Sequence, residues 1–456
     1  MLDQLADLLT DIVEGQREFQ ARWLPYHQDA SLTVDSAALR EGAAALQERL
    51  QDNYPFFHPM YAGQMLKPPH QAAVLGYLAA MLINPNNHAL DGGPATGQIE
   101  KELTAELARM YGYAEHLGHL TSSGTIANLE ALWVARREHP ERAVAFSEQA
   151  HYTHSRMCEV LGLRAVEVPS DSQGRMDTEA LHQLCLSEDI GTVVATLGTT
   201  ALGALDPLPR ILELGARHGF RVHVDAAYGG FFRLVADDST DGVDAAAFAA
   251  MAQADSIVVD PHKHGLQPYG CGCVLFRDPA VGRHYVHDSP YTYFTSDELH
   301  LGEISLECSR AGASAAALWL TLRMLPLHTD TGLGAVLRRC RRAALDWSER
   351  IRTSDRVALV LEPSLDIVVF FPDNGPRSAS AISARSDALF EETMSDEENP
   401  LYLSKLRVKT ALLTARYPDI EADAEWTTVL RSVLMKPEHA DWVERIHATV
   451  EERLGA

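Results

Sequence analysis

The apolar stretch DSIVVDPHKHG, Asp255 to Gly265, is the most informative segment of this 456-residue chain. It begins with a run of β-branched residues that is typical of a buried strand, and it ends in His262 and Lys263. A lysine directly after a buried strand is unusual, because burying an ammonium group is unfavourable unless a partner uses its charge. A lysine that reaches solvent through its long side chain explains the same pattern, so Lys263 needs a second observation.

That second observation is the stretch HVDAAYGG, His223 to Gly230, in which another apolar run ends in Asp225. An acid at this point is typical of a cap for a following helix, and alone it indicates no more than that. Lys263 and Asp225 both follow predicted strands, however, and ligands of parallel sheets lie at the carboxyl ends of the strands. We therefore interpret the two ends as parts of one site.

The surrounding sequence predicts the sheet that such a site needs. Short apolar runs occur at Arg142–Phe146, Leu163–Val168, Gly191–Leu197, Arg221–Val224, Asp255–Val259 and Gly272–Phe276. Helical patterns lie between several of them, as at Thr125–Arg137 and Leu208–His218. This alternation predicts an α/β fold with a mainly parallel sheet covered by helices on both faces. After about residue 330 strands and helices occur in blocks, which predicts a smaller α+β domain.

An amine and a carboxylate at one edge of a sheet match the needs of pyridoxal phosphate (PLP). Lysine forms a Schiff base with its aldehyde, and the acid keeps the pyridine nitrogen protonated so that the ring can accept electrons. The stretch LTSSGTIANLEALWVA, Leu120 to Ala135, would bind the phosphate through amides and hydroxyls at a helix start, with a plain capped helix as the alternative. His151 would stack on the ring; His154 follows it, but no acid or cysteine completes a metal site.

These features together resemble the group II PLP-dependent decarboxylases, which act on aromatic amino acids, glutamate or diaminobutyrate. The matching stretches are TSSGTIAN, SEQAH, ATLGTTALGALDPL, HVDAAYGG and DPHKHG, in the order of that family. The resemblance implies the PLP-dependent transferase fold type I, with a seven-stranded, mainly parallel sheet. It also implies decarboxylation of an L-amino acid to an amine and CO₂ through a Lys263 Schiff base and a quinonoid intermediate.

The resemblance assigns roles to individual residues. The implied catalytic residues are Lys263, His151, Asp225 and a loop tyrosine that donates a proton, either Tyr291 or Tyr293. The implied cofactor-binding residues are Ser123, Gly124, Thr125, His151, Thr200, Asp225, Ala227, His262 and Lys263. Arg431 would pair with the substrate carboxylate, because a guanidinium group binds carboxylates through two hydrogen bonds, and His58, Tyr61 and Asn87 would contact the side chain. No metal is implied.

The sequence departs from the family in three places, and two alternative functions stay open. The segment ECSRAGA, Glu307 to Ala313, resembles carbon–carbon lyases that cleave sphingosine phosphate, so an aldehyde-forming lyase is the first alternative. A non-catalytic PLP-fold protein is the second. Asp260 adds a negative charge near the expected phosphate, and His264 stands where many relatives carry tryptophan.

The polar loop Asn84–Asp91 favours a small polar or acidic amino acid as substrate.

Composition limits the partners and the location. The chain has 39 Lys and Arg against 63 Asp and Glu, a net charge of −24, which disfavours nucleic acid and anionic membranes. The N-terminus lacks the pattern of a secretory signal, so we expect a cytoplasmic protein.

We predict an N-terminal helical segment over 1–70 that docks on a partner subunit, a PLP-binding domain over 71–330 and a small domain over 331–456. The family resemblance implies a homodimer with a shared active site.

Overall fold

The computed structural model describes residues 2–236, 242–286 and 299–455, and its strands form two sheets. The larger sheet contains β1 (Leu117–Thr121), β2 (Ala143–Ser147), β3 (Ala165–Val168), β4 (Ile190–Thr196), β5 (Arg221–Asp225), β6 (Ser256–Val259) and β7 (Gly272–Phe276). The smaller sheet contains β8 (Val357–Leu359), β9 (Ile367–Pro372), β10 (Ser404–Lys409) and β11 (Trp426–Val433).

The larger sheet confirms the predicted mainly parallel α/β architecture. Its strand order is β1-β7-β6-β5-β4-β2-β3, and only β7 runs antiparallel to its neighbours. All seven residues of β4 are buried, as expected for a strand that is covered on both faces. Because the parallel strands end at the same edge, the residues after β2, β4, β5 and β6 converge there.

Helices flank both sheets. They are α1 (Leu2–Ala21), α2 (Ser36–Leu50), α3 (Gln71–Met81), α4 (Pro94–Tyr111), α5 (Gly124–Glu138), α6 (Thr153–Leu161), α7 (Thr178–Ser187), α8 (Leu208–His218), α9 (Ala245–Ala250), α10 (Gly312–Met324), α11 (Gly332–Thr353), α12 (Ala379–Ser395), α13 (Thr410–Arg416) and α14 (His439–Gly455). Helix α5 begins where Ser123 accepts a hydrogen bond from the Ile126 amide, 3.3 Å away, which is a typical N-cap. Helix α8 has the bounds that its pattern predicted.

The smaller sheet is antiparallel, with the order β10-β11-β9-β8. Arg431 lies in β11, between Ser404 of β10 and Val369 of β9. Helices α11, α12 and α14 contribute to the apolar core beneath it, in which Trp347 is fully buried. The unit matches the predicted α+β character, whereas the domain bounds at 70/71 and 330/331 stay predictions.

The N-terminal helices α1 and α2 differ from the rest of the chain in their exposure. No residue of α2 is buried, and large apolar side chains between the two helices face solvent: Trp23 is 69% and Leu24 is 88% exposed. Helix α1 packs against α3. Within the described residues, no helix combines the length and the apolar character that crossing a bilayer requires.

Candidate active site

A cavity of about 170 Å³ lies at the carboxyl edge of the larger sheet. Its wall contains every residue that the sequence predicted for cofactor binding: Ser123, Gly124, Thr125, His151, Thr200, Asp225, Ala227, His262 and Lys263. These residues come from the turns after β1, β2, β4, β5 and β6, so the convergence of strand ends brings them together.

Asp225 is a buried carboxylate at the end of β5. Its Oδ2 lies 2.8 Å from His154 Nε2, and its Oδ1 accepts a hydrogen bond of 3.0 Å from the Ala227 amide. Burial alone would raise the pKa of Asp225, but the hydrogen bond and charge of His154, helped by Lys263 and the Ala227 amide, hold the pKa well below its ordinary value. Asp225 is therefore an anion at any pH at which the protein would work.

His154 is a residue near the cavity to which sequence reasoning gave no role in cofactor binding. It is fully buried in α6, one turn after His151, and it lies behind Asp225. His223 lies nearby in β5, where its Nε2 is 2.8 Å from Asn128 Oδ1, and burial lowers its pKa to about 3. His154 appeared in the sequence only as a possible metal ligand, although a histidine one turn from a predicted ring-stacking residue could have indicated a second contact.

Lys263 and His262 lie on either side of Asp260. Lys263 Nζ is 3.1 Å from Asp260 Oδ2, and His262 Nε2 is 3.5 Å from the same oxygen. The turn is fixed by a 2.9 Å hydrogen bond from the Lys263 amide to the Asp260 carbonyl. The negative charge of Asp260 is thus paired with the Lys263 ammonium group within one turn of the chain.

The start of α5 approaches Asp260 so closely that only glycine fits at residue 124. A Cβ added to Gly124 would lie 2.5 Å from Asp260 Oδ2, which is closer than real Cβ contacts. Two polar atoms of cavity-lining residues, Thr196 Oγ1 and Asp260 Oδ1, have no hydrogen-bond partner in the described part of the chain. A helix start, hydroxyl groups, an amine and a buried anion suit a ligand that carries a phosphate, an aldehyde and a basic ring nitrogen, so these residues fit PLP.

His151 is half-buried at the cavity wall. Its Nδ1 accepts a hydrogen bond of 3.2 Å from the Thr153 amide and lies 2.6 Å from Thr153 Oγ1. The acceptor role of Nδ1 leaves the proton on Nε2 in the neutral ring. Burial lowers the pKa of His151, although the charge of Asp225 opposes this effect, so the ring is predominantly neutral.

Arg431 reaches the site through Thr200. Its Nη1 donates a 2.7 Å hydrogen bond to the Thr200 carbonyl, and its Nη2 donates a 3.3 Å bond to the Gly63 carbonyl. Arg431 is not among the residues that line the cavity, and its buried Nε has no partner in the described residues. The smaller sheet therefore places a guanidinium group directly behind the cavity wall.

The three residues predicted for side-chain recognition do not line the cavity within one chain. His58 lies against Trp442, with ring centroids 4.7 Å apart, and Tyr61 lies in an aromatic cluster with Tyr54 and Tyr402. Asn87 needs a correction: it is 1% exposed, and its amide is used in hydrogen bonds to Thr96 and Glu100.

The hydrogen bonds of Asn87 explain why it is unsuited to the predicted role. Both N–H donors of its amide and one lone pair of its oxygen are used inside the protein, so the side chain has no donor to offer a substrate, and it stabilises the packing of α4 instead. The two candidate proton donors, Tyr291 and Tyr293, lie outside the described residues.

The chain is similar to known amino acid decarboxylases. It is 28% identical to the L-tyrosine decarboxylase of Enterococcus faecium, over 76% of this chain and 73% of that protein. It is 31% identical to a probable L-tyrosine/L-aspartate decarboxylase of Methanothermobacter thermautotrophicus (69% and 84% covered). It is 30% identical to the L-2,4-diaminobutyrate decarboxylase of Rhizobium meliloti (80% and 77% covered).

Solved structures share the whole fold. Mouse CSAD matches with a TM-score of 0.78 at 20% identity, over 99% of this chain and 98% of that one. Oryza sativa TDC, solved with PLP and tryptamine, matches with a TM-score of 0.78 at 19% identity over 98% of both chains. A family model described as "Pyridoxal-dependent decarboxylase conserved domain" matches residues 55–372. The chain therefore belongs to the pyridoxal-dependent decarboxylase family, as a PLP-dependent amino acid decarboxylase of fold type I.

Proposed function

We propose that the chain converts an L-amino acid into the corresponding amine and CO₂, with Lys263 as the point of cofactor attachment and Asp225 as the partner of the ring nitrogen. One observation carries the proposal: an amine and a permanently anionic, buried carboxylate line one cavity at the carboxyl edge of the sheet. When bound, PLP accepts the electron pair released from a bond to the substrate Cα.

Asp225 acts by holding a proton on the ring nitrogen. A carboxylate with so low a pKa does not take that proton away, so the positive charge stays where electrons must flow. The hydrogen bonds from His154 and the Ala227 amide fix the carboxylate before the cofactor arrives, so little reorganisation is needed.

The start of α5 supplies the phosphate site. The amides of Gly124 and Thr125 lie at the positive end of the helix dipole, and His262 lies at the same cavity. Gly124 is needed because its backbone lies against Asp260. These groups would bind the phosphate, Lys263 would bind the aldehyde and Asp225 would pair with the ring nitrogen.

His151 and Arg431 orient the substrate in the proposed mechanism. A neutral His151 can stack on the ring and offers Nε2–H towards the reacting carboxylate. Arg431 would bind the α-carboxylate, in a position that aligns the bond to CO₂ for cleavage. Either Tyr291 or Tyr293 would return a proton to Cα, since a phenol is a usable acid once water is excluded.

The substrate is proposed from the relatives. Their names give tyrosine, aspartate and 2,4-diaminobutyrate as substrates of similar proteins. These three L-amino acids form the first panel to screen for CO₂ release. Product analysis also separates the lyase alternative, because a carbon–carbon lyase would release an aldehyde and no CO₂.

Lys263→Ala tests the assignment of the attachment site. Borohydride reduction of the wild-type holoenzyme should fix the cofactor on the peptide that contains Lys263, and the variant should show no fixed cofactor and no CO₂ release. Lys405→Ala, which removes an exposed lysine of the smaller sheet, is the control and should behave as wild type. Attachment at another lysine would refute the proposal.

We further propose a cytoplasmic homodimer in which α1 and α2 dock on the partner subunit. The exposure of Trp23 and Leu24 supports this arrangement, because large apolar side chains are rarely left in solvent by a monomer. Six free cysteines support a reducing compartment. Sedimentation should give a dimer, and deletion of residues 2–50 should give monomers; an active wild-type monomer would contradict the proposal.

A further inference from the structure

A carboxylate with no exposure, Asp366, lies between the two sheets. It directly precedes β9, and its Oδ1 accepts a 2.6 Å hydrogen bond from the Tyr228 hydroxyl. Its Oδ2 lies 3.2 Å from His264 Nε2, a close polar contact whose geometry is not that of a hydrogen bond. One buried anion of the smaller sheet thus contacts two side chains of the larger one.

The two contacted residues are neighbours of the proposed catalytic groups. Tyr228 belongs to the turn that begins with Asp225, and His264 directly follows Lys263. The His264 ring is 1% exposed and lies edge-on to Tyr228 and Phe232, with ring centroids 4.8 and 5.0 Å apart. Because these rings are packed, a shift of Asp366 would be passed on to both turns.

The chemistry of Asp366 requires both contacts. Burial raises the pKa of Asp366, but His264, the Tyr228 hydroxyl and the charge of Lys67 overcome this effect and hold the pKa below its ordinary value. A buried anion is tolerated only while its partners stay in place, since removing one of them exposes its full desolvation penalty. Asp366 therefore favours the one arrangement in which Tyr228 and His264 both face it.

The backbone of Asp366 is also fixed. Its carbonyl accepts a 2.9 Å hydrogen bond from the Leu434 amide, just beyond β11, the strand that carries Arg431. The strand next to β11 is β9, which Asp366 precedes. The same residue is thus tied to the parts of the smaller sheet that carry the proposed substrate arginine.

We propose that Asp366 is a positioning residue that sets the separation of Lys263 and Asp225, acting on Lys263 through His264 and on Asp225 through Tyr228. This inference rests on the proposed function, because it assumes that both groups must meet one cofactor. Attachment at Lys263 and contact with Asp225 have to occur together, so a displacement of about 1 Å at either end can slow the reaction about 100-fold.

Two measurements distinguish the effect of Asp366 on Lys263, through His264, from its effect on Asp225, through Tyr228. The rate at which apoprotein binds PLP covalently, followed by its visible absorption at saturating PLP, reports the position of Lys263. Equilibrium binding of pyridoxine 5′-phosphate, which lacks the aldehyde, reports the rest of the site without Lys263. Asp366→Asn should slow covalent attachment of PLP about 10- to 100-fold and should also weaken the binding of pyridoxine 5′-phosphate.

Variants that change only His264 or only Tyr228 give the sharper test. His264→Leu should slow attachment and leave pyridoxine 5′-phosphate binding within about twofold. His264→Gln, which keeps a polar group beside Asp366, should recover most of the rate. Tyr228 lines the cavity and donates its hydroxyl hydrogen bond to Asp366, so Tyr228→Phe should weaken pyridoxine 5′-phosphate binding and leave the rate of attachment within about twofold. If Asp366→Asn does not fold, the comparison of the two His264 variants decides the matter.

Glu130→Gln is the matched control, since Glu130 is an equally buried carboxylate that lies 3.0 Å from a histidine, His119, and outside the cavity wall. Attachment rates equal to wild type in Asp366→Asn and His264→Leu would overturn the inference, and so would an equal slowing in Glu130→Gln. A wild-type protein that attaches PLP elsewhere than at Lys263 would instead refute the proposed function.

Discussion

Two of the buried histidine–carboxylate pairs in the described residues are alike in chemistry and differ in place. His154 lies 2.8 Å from Asp225, and His119 lies 3.0 Å from Glu130; both histidines are fully buried. Asp225 ends a strand and lines the cavity, whereas Glu130 lies within α5 and is sealed from solvent. A buried histidine–carboxylate pair therefore does not by itself indicate a functional site. The position of Asp225 at a strand end, facing an amine across a cavity, does indicate one.

Asp225→Asn should have the largest effect. Asparagine keeps the size of the side chain but cannot hold a proton on the ring nitrogen, so kcat should fall about 10²- to 10³-fold. Steady-state CO₂ release at saturating PLP measures this change. A variant with more than half of the wild-type kcat would show that Asp225 is no more functional than Glu130.

Gly124→Ala tests the end of α5 that faces the cavity. The added Cβ would lie 2.5 Å from Asp260 Oδ2, and if overpacking of about 1–3 kcal/mol falls on the bound state, PLP affinity should drop about 5- to 150-fold. Titration of the apoprotein with PLP measures the affinity. Unchanged affinity would mean that the helix start can move without harm to the phosphate site.

His154→Asn should shift the pH dependence. Burial raises the pKa of Asp225 and the hydrogen bond and charge of His154 lower it, so removal of the imidazole raises that pKa. Asp225 would then become protonated at a higher pH, so the acid limb of the variant's kcat profile should lie at a higher pH than that of wild type, in which Asp225 stays ionised over the working range. An acid limb that stays in place would show that His154 does not control the charge of Asp225.

Glu130→Gln should have the smallest effect on activity. The loss of a buried partner for His119 should lower the free energy of unfolding by about 1–3 kcal/mol, while kcat stays within about twofold of wild type. Thermal unfolding and CO₂ release measure the two quantities. A large fall in kcat without a fall in stability would place this pair in the active site as well.

The sequence predicted the parts of the fold that depend on local pattern. Apolar runs gave six of the strands in the larger sheet, and the strand ends placed Asp225 and Lys263 at one edge. The sequence did not predict β1, because its residues LGHLT include the polar His119. That histidine is buried only because it contacts Glu130, which the pattern does not show. A strand with an internally satisfied polar residue has no clear apolar signature.

Contacts between distant segments explain the remaining errors. His154 and Asp225 lie in α6 and β5, and Asp366 meets Tyr228 and His264 only when the two sheets come together. Asn87 was taken for a binding residue because polar loop residues often are, but its partner Glu100 lies in α4 and uses the amide. Periodicity carries no information on such pairs.

The direction of β7 has a practical consequence for engineering. Because β7 is antiparallel to β6, the chain turns back through residues 260–271 without an intervening helix, so Lys263 is tethered by a strand on each side. The connection 197–207 leads from β4 to a helix and has no such double constraint. Libraries that seek a new substrate range should therefore keep the length of 260–271 fixed and insert new loops elsewhere around the cavity.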